Sequence, residues 1–274
     1  MLGKLFKYEF DRTWKVMVII FAIASGIAII NCINISGVFA DSLSVDEAGG
    51  ILIFSVVLFS VFAMTVFASI FVGYIYSCWS FYKSMYSEQG YLTHTLPVDP
   101  AATIFVKLIV AFVWFMGNVL VVAISILAFA CSGANMTPAE ALARISEEWQ
   151  KLVVTIDENA MEMIGHGAEY VITIVVLMAL FSILRSYMFV FTSFTIGQLS
   201  NNHKVGSAVL AGFGLSIINR VVSATITVNR FNILTDFSDM IDSTVWISLV
   251  YTVVSLIVMY VVNVYLVKHK LNLQ

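Results

Sequence analysis

The chain of 274 residues is 60% hydrophobic and 11% charged, with a mean hydropathy of +0.96, whereas a water-soluble domain is roughly 45–50% apolar and about 25% charged. This composition excludes a soluble globular enzyme and points to an all-α integral membrane protein. The formal net charge of −3, from 14 basic and 17 acidic residues, offers no basic surface for nucleic acid.

The first element is predicted from "MLGKLFKYEFDRTWK". Leu2, Leu5, Phe6, Phe10 and Trp14 recur at helical spacing, with Lys4, Lys7, Asp11 and Lys15 opposite, so residues 1–15 are expected to form an amphipathic helix lying flat at the inner membrane interface. The uncharged run that follows exceeds the roughly 7–15 residues of a signal-peptide core, which argues for a retained span rather than a cleaved leader.

Roughly 20 helical residues cross the ~30 Å hydrocarbon layer. On that measure six spans are predicted, over residues 16–36, 50–79, 103–131, 170–199, 205–228 and 243–267. Six spans put both termini on one side. If that side is cytoplasmic, the inner segments hold nine Lys and Arg residues, and the outer ones only Arg144, Lys151 and Arg230. That bias satisfies the positive-inside rule. Thirteen of the seventeen acids then lie outside.

Residues 80–100, "SFYKSMYSEQGYLTHTLPVDP", form the polar interruption between the second and third spans. Aromatic residues collar its start, a turn follows near Glu88 and Gly90, and a short segment with Tyr91, Leu92 and Leu96 ends at Pro97. Asp99 offers a side-chain N-cap and Pro100 suits the first helical position, so the third span is expected to start there. A short element held between two rigid helices is suited to transmit force.

Residues 132–169 form the only sizeable outer segment. Thr137-Pro138-Ala139-Glu140 is a capping box with proline at the first helical position. Leu142, Ile145, Trp149, Leu152 and Ile156 make an apolar stripe behind it. The helix is expected to pack on the outer ends of the spans as a lid, the alternative being a helix floating at the lipid surface.

The fourth span carries Arg185 and the fifth Arg220, and neither span contains an acid. Arg220 is expected to pair with Asp236, Asp239 or Asp242 if the chain folds back there. Arg185 either snorkels to inner phosphates or faces a water-filled vestibule and meets lipid headgroups or an anionic part of a substrate. On the fifth span Ala208, Gly212 and Ser216 follow at four-residue spacing, a small-residue stripe that lets helices approach closely in lipid. It is read as a dimer seam or as packing within one subunit. Cys32, Cys78 and Cys131 have no metal-binding spacing, and packed thiols are expected.

No Asp, Glu or His lies in the uncharged core of any span, which argues against ion-coupled transport and intramembrane hydrolysis. No Walker A loop is present. Energy for uphill movement would have to come from another subunit.

"SEQGYLTHTLPVDPAATIFVKL" resembles the cytoplasmic coupling region of ABC-2 type ABC-transporter permeases, where a Glu-x-Gly-x-Leu segment and a Leu-Pro pair precede the third span. "GQLSNNHKVGS" and "KHKLNLQ" resemble corresponding stretches of a Firmicutes branch of that family. The branch usually has Ser where Asp99 stands and a more apolar residue near His94.

The resemblance implies a cytoplasmic coupling helix, with Glu88, Gly90, Tyr91, Leu92, Leu96 and Pro97 docking on ABC ATPase subunits, two of them. It also implies a second permease, identical or homologous, in the cytoplasmic membrane of a bacterium. The chain itself would hold no cofactor and catalyse nothing, with ATP and Mg bound by the partner ATPase. The implied activity is export; a path lined by Phe, Met, Ser and Thr suits a hydrophobic or amphipathic substrate such as a drug, peptide or lipid, and the acidic exterior favours cations. A membrane scaffold or ligand sensor using the outer helix is the other reading.

Overall fold

The computed structural model describes residues 2–40, 45–87, 90, 98–133, 136–200, 203–231 and 237–269, the side chains of 36–40, 45–52, 133, 163–164, 227–231 and 237–242 excepted. Among the described residues there are seven long helices and no strand. These are α1 (Leu2–Ala40), α2 (Val45–Tyr86), α3 (Pro100–Gly133), α4 (Pro138–Ile164), α5 (Ala168–Gly197), α6 (Lys204–Phe231) and α7 (Phe237–His269). All except α4 are long and apolar enough to cross a membrane. The chain is a multi-pass helical membrane protein.

The helices run long because little in the sequence breaks them. The chain has three prolines. Two of them, Pro100 and Pro138, open α3 and α4, where a missing N–H costs nothing. Hydroxyl side chains inside the spans return their protons to their own helix, as Thr65 does to Val61 O at 2.8 Å and Thr252 to Ser248 O at 2.8 Å. This satisfies the hydroxyl without opening the helix.

The amino terminus differs from expectation. The separate flat helix over residues 1–15 is absent: α1 is one uninterrupted helix of 39 residues. Its inward face is also only in part the apolar stripe, of which Phe10 packs inwards on Trp114. Glu9, Thr13 and Met17 are buried, the last 1% exposed, whereas Leu2 is 53% and Trp14 42% exposed. Glu9 tolerates that position because Arg12 pairs with it at 2.8 Å, one helical turn on.

The described chain divides into two compact units. The first comprises Gly3–Ser77 and Val110–Gln150. Here α1 meets α3 through Phe10, stacked on Trp114 with centroids 4.6 Å apart, and through Trp114 Nε1, which donates to Thr13 Oγ1 at 2.8 Å. Between α2 and α3, Asn118 donates to Ser69 O at 2.8 Å and accepts from Ser69 Oγ at 3.3 Å. Gly73 makes room for this amide, since a Cβ there would lie 3.0 Å from Asn118 Nδ2. Phe62 stacks on Phe129 at 5.2 Å further along.

The second unit comprises Cys78–Ile109 and Lys151–Gln274. It joins the end of α2 and the start of α3 to α5, α6 and α7. Its largest fully buried side chains include Phe81, Met85, Ile104, Tyr187 and Phe191. Phe81 lies flat on Phe191 with centroids 3.8 Å apart.

The capping box at Thr137 forms in both directions: Thr137 N donates to Glu140 Oε2 at 2.9 Å, and Glu140 N donates to Thr137 Oγ1 at 3.3 Å. The helix it starts is not covered as a lid would be. Leu142, Ile145, Trp149 and Leu152 are 54, 52, 53 and 48% exposed, and the buried residues among the described side chains of α4 are Ala141 and Ala160. One contact does tie it down, since Asp157 Oδ1 accepts from Ala168 N at 2.7 Å and so caps the start of α5.

Candidate functional site

The second unit contains two polar centres. The first surrounds the point where α2 ends. Tyr86, in the last turn of α2, reaches Thr195 Oγ1 on α5 at 2.6 Å. Thr195 in turn bonds Asn263 Oδ1 on α7, and Asn263 Nδ2 reaches Thr192 Oγ1 at 3.5 Å. Thr192, Thr195 and Asn263 are at most 1% exposed. A hydroxyl has one proton, and Thr195 gives its own to Asn263 or to Phe191 O, 2.8 Å away. The phenol of Tyr86 is therefore the donor to Thr195.

Lys107, seven residues into α3 from Pro100, is 4% exposed and donates to Ser84 Oγ at 2.7 Å. The start of α3 is also held to α7. Tyr260 OH donates to Ala101 O at 2.9 Å, and Lys268 Nζ pairs with Asp99 Oδ1 at 2.9 Å. Asp99 caps α3 as expected, with Ala101 N 3.4 Å from its carboxylate. Both helices that flank residues 87–99 are thus anchored to α7, directly or through α5.

The hydrogen bond from the Lys268 ammonium, helped by the Ala101 amide, holds the Asp99 carboxyl below the usual carboxylate range. A depressed pKa means that the pairing is complete above the ordinary carboxylate value and is lost as pH falls through the lowered one. Between neutrality and mild acidity it is constant. NMR titration should give Asp99 a midpoint below that of a free aspartate, and Lys268→Met should raise it. An unmoved midpoint in Lys268→Met would show that the pair does not hold in solution.

Of the predicted coupling residues, Glu88, Tyr91, Leu92, Leu96 and Pro97 lie outside the described residues. Gly90 is described and buried, and its N–H donates to Ser87 O at 2.7 Å. A Cβ on Gly90 would stand 2.4 Å from Met85 O. The chain turns back so tightly over the last turn of α2 that only glycine fits.

The second polar centre lies between α5, α6 and α7. Arg185 Nη2 donates to Asn219 Oδ1, and Tyr251 OH donates to the same oxygen. The guanidinium also sits over the Tyr251 ring, 5.0 Å from its centroid, a cation–π contact. At the far end of the same helices Trp246 Nε1 donates to Tyr170 OH. Arg220 is exposed; Asp236 lies outside the described residues, as do the side chains of Asp239 and Asp242.

The small-residue stripe of α6 faces α5 of the same chain. A Cβ on Gly197 would be 2.5 Å from Cα and Cβ of Ala208, and one on Gly212 would be 3.4 Å from Ser193 Oγ. Ser207 Oγ reaches Gly197 O at 2.7 Å beside them. Ser216 continues the row and bonds Phe213 O at 2.8 Å in its own helix. The row leads to Asn219, so close backbone approach and the Arg185 contact belong to one α5–α6 interface. The three cysteines are free thiols.

Sequence reasoning found Arg185 but missed its partners, and it missed Tyr86, Thr195 and Asn263 altogether. The available signal was the amide: Asn118, Asn219 and Asn263 each interrupt an apolar span. An amide in lipid requires a partner much as a charge does. Among the described residues no three His, Cys, Asp or Glu side chains converge as a metal site. Compared with family models, curated proteins and solved structures, the chain finds no match.

Proposed function

We propose that this chain is the membrane permease subunit of an ATP-driven exporter of the ABC-2 type, working with two ABC ATPase subunits that bind ATP and Mg and with a second, identical or homologous, permease. The bacterial cytoplasmic membrane, cytoplasmic termini and a coupling helix within residues 87–99 belong to the same proposal. The observation that carries it is the Glu88-x-Gly90-x-Leu92 and Leu96-Pro97 pattern between the second and third spans. The anchored flanks of that segment support it mechanically. A push on residues 87–99 is delivered to Tyr86 and Asp99, and through them to α5 and α7.

Replacing Glu88 with alanine, which leaves the Gly90 turn intact, should keep the protein in the membrane but reduce co-purification of the ATPase and the ATPase stimulation it confers. Normal co-purification with normal turnover would defeat the proposal. The uncovered stripe of α4 favours the other reading, a ligand sensor. A sensor would purify without any Walker-bearing ATPase.

A further inference from the structure

Arg185 lies in the middle of its span. It is 15 residues from Tyr170, which marks one end through Trp246, and 12 from Gly197 at the other. At 1.5 Å per residue these are ~22 and ~18 Å. An arginine at such depth is costly, about 2.5–3.5 kcal/mol on insertion scales, and is normally compensated by an acid or retained for a ligand.

The compensation here is electrically incomplete. Asn219 supplies a neutral oxygen, and Tyr251 supplies a ring face and a second donor to that same oxygen. Among the described residues no carboxylate pairs with Arg185. A guanidinium has five N–H donors, and the described residues take one of them. Asn219 and Tyr251 therefore fix the plane and position of the group while leaving its charge and most of its donors uncommitted. An aspartate at 219 would have fitted the same space and cancelled the charge.

We infer that Arg185, oriented by Asn219 and Tyr251, binds the phosphate-type headgroup of an anionic amphiphile. Phosphate oxygens match the guanidinium fork in pairs. At mid-span depth the ligand must bring its own apolar chain, because a free ion would have to surrender its hydration to arrive. Exposed apolar residues one turn from the two positioning groups, Val222 beside Asn219 on α6 and Val254 beside Tyr251 on α7, give such a chain its surroundings. As a transport subsite this rests on the exporter reading, and it replaces the cationic preference inferred from the acidic exterior. Binding itself does not need a partner ATPase.

The test uses the purified full chain in phosphatidylcholine nanodiscs, with dodecyl phosphate, dodecyl phosphocholine and inorganic phosphate as probes. Wild type should bind dodecyl phosphate in preference to the other two. Asn219→Asp, which supplies a paired acid without altering shape, should weaken that binding at least about tenfold, the consequence of losing some 1.4 kcal/mol. Arg185→Lys should also weaken it, because an ammonium keeps the charge but not the paired donors. Unchanged binding in a folded Asn219→Asp protein would make Arg185 a packing residue and overturn the inference, as would inorganic phosphate binding as tightly as dodecyl phosphate. Because no ATPase is present, either result leaves the exporter reading to its own co-purification test.

Discussion

Valine at Gly197 is expected to prevent α5 and α6 from closing on each other and to cause a large loss of folded protein. Carbon atoms pack at about 3.5–4.0 Å, and a Cβ at this position would stand 2.5 Å from backbone and side-chain carbon of Ala208. Neither helix has a flexible side-chain end there to move aside, so the backbones must separate. The contacts further along the interface, Ser193 with Gly212 and Arg185 with Asn219, are stretched with them. Overpacking of this kind costs about 1–3 kcal/mol or more. Thermal unfolding in detergent should show a clear drop in midpoint and yield. Gly214→Val is the control, because a Cβ there meets nothing within 4 Å. Equal behaviour of the two variants would show that the close approach does not hold.

The second large effect is expected at Asn263. Leucine there removes Thr195's acceptor on α7, leaving it only Phe191 O in its own helix, and Tyr86 is then bonded to a hydroxyl no longer fixed to α7. Interhelical hydrogen bonds in membrane proteins average about 0.6 kcal/mol and reach about 1.7 in double-mutant cycles. The three-member chain should lie towards the upper figure, since each bond polarises the next. In a cycle of Asn263→Leu with Tyr86→Phe, the two losses should fall short of additivity, because either change disables the same relay. Additivity within about 0.3–0.5 kcal/mol would mean that the side chains act independently. If the exporter reading holds, both variants should also uncouple ATP hydrolysis from transport while keeping the ATPase bound.

Features that depend on one stretch of chain were legible in the sequence. Four of the six apolar helices follow from uncharged runs and two from runs interrupted by a single arginine, and the starts of α3 and α4 follow from Asp99-Pro100 and from Thr137 with Glu140, whose partners are two or three residues away. The face of α1 that packs inwards was misread because periodicity ranks residues by polarity. Glu9 is buried by virtue of Arg12, and Thr13 by virtue of Trp114, a hundred and one residues distant. The lid was misread for a related reason: an apolar stripe declares that it will be covered but not by what. The Tyr86–Thr195–Asn263 relay joins positions 109 and 68 residues apart, and its members look unremarkable one by one. Arg185 was conspicuous, but that its partner is an amide rather than an acid depends on how α5 and α6 pack.

The incompletely compensated charge of Arg185 has an electrical consequence. Moving one elementary charge through a membrane potential of 100 mV is worth about 2.3 kcal/mol. A conformational step that carries Arg185 across a third of the field is therefore biased by about 0.8 kcal/mol per 100 mV. With a singly charged acidic headgroup bound, such as a phosphodiester, the pair is close to neutral and the same step is almost indifferent to voltage. A cycle that moves loaded in one direction and returns empty would thus couple to the membrane potential only on its return.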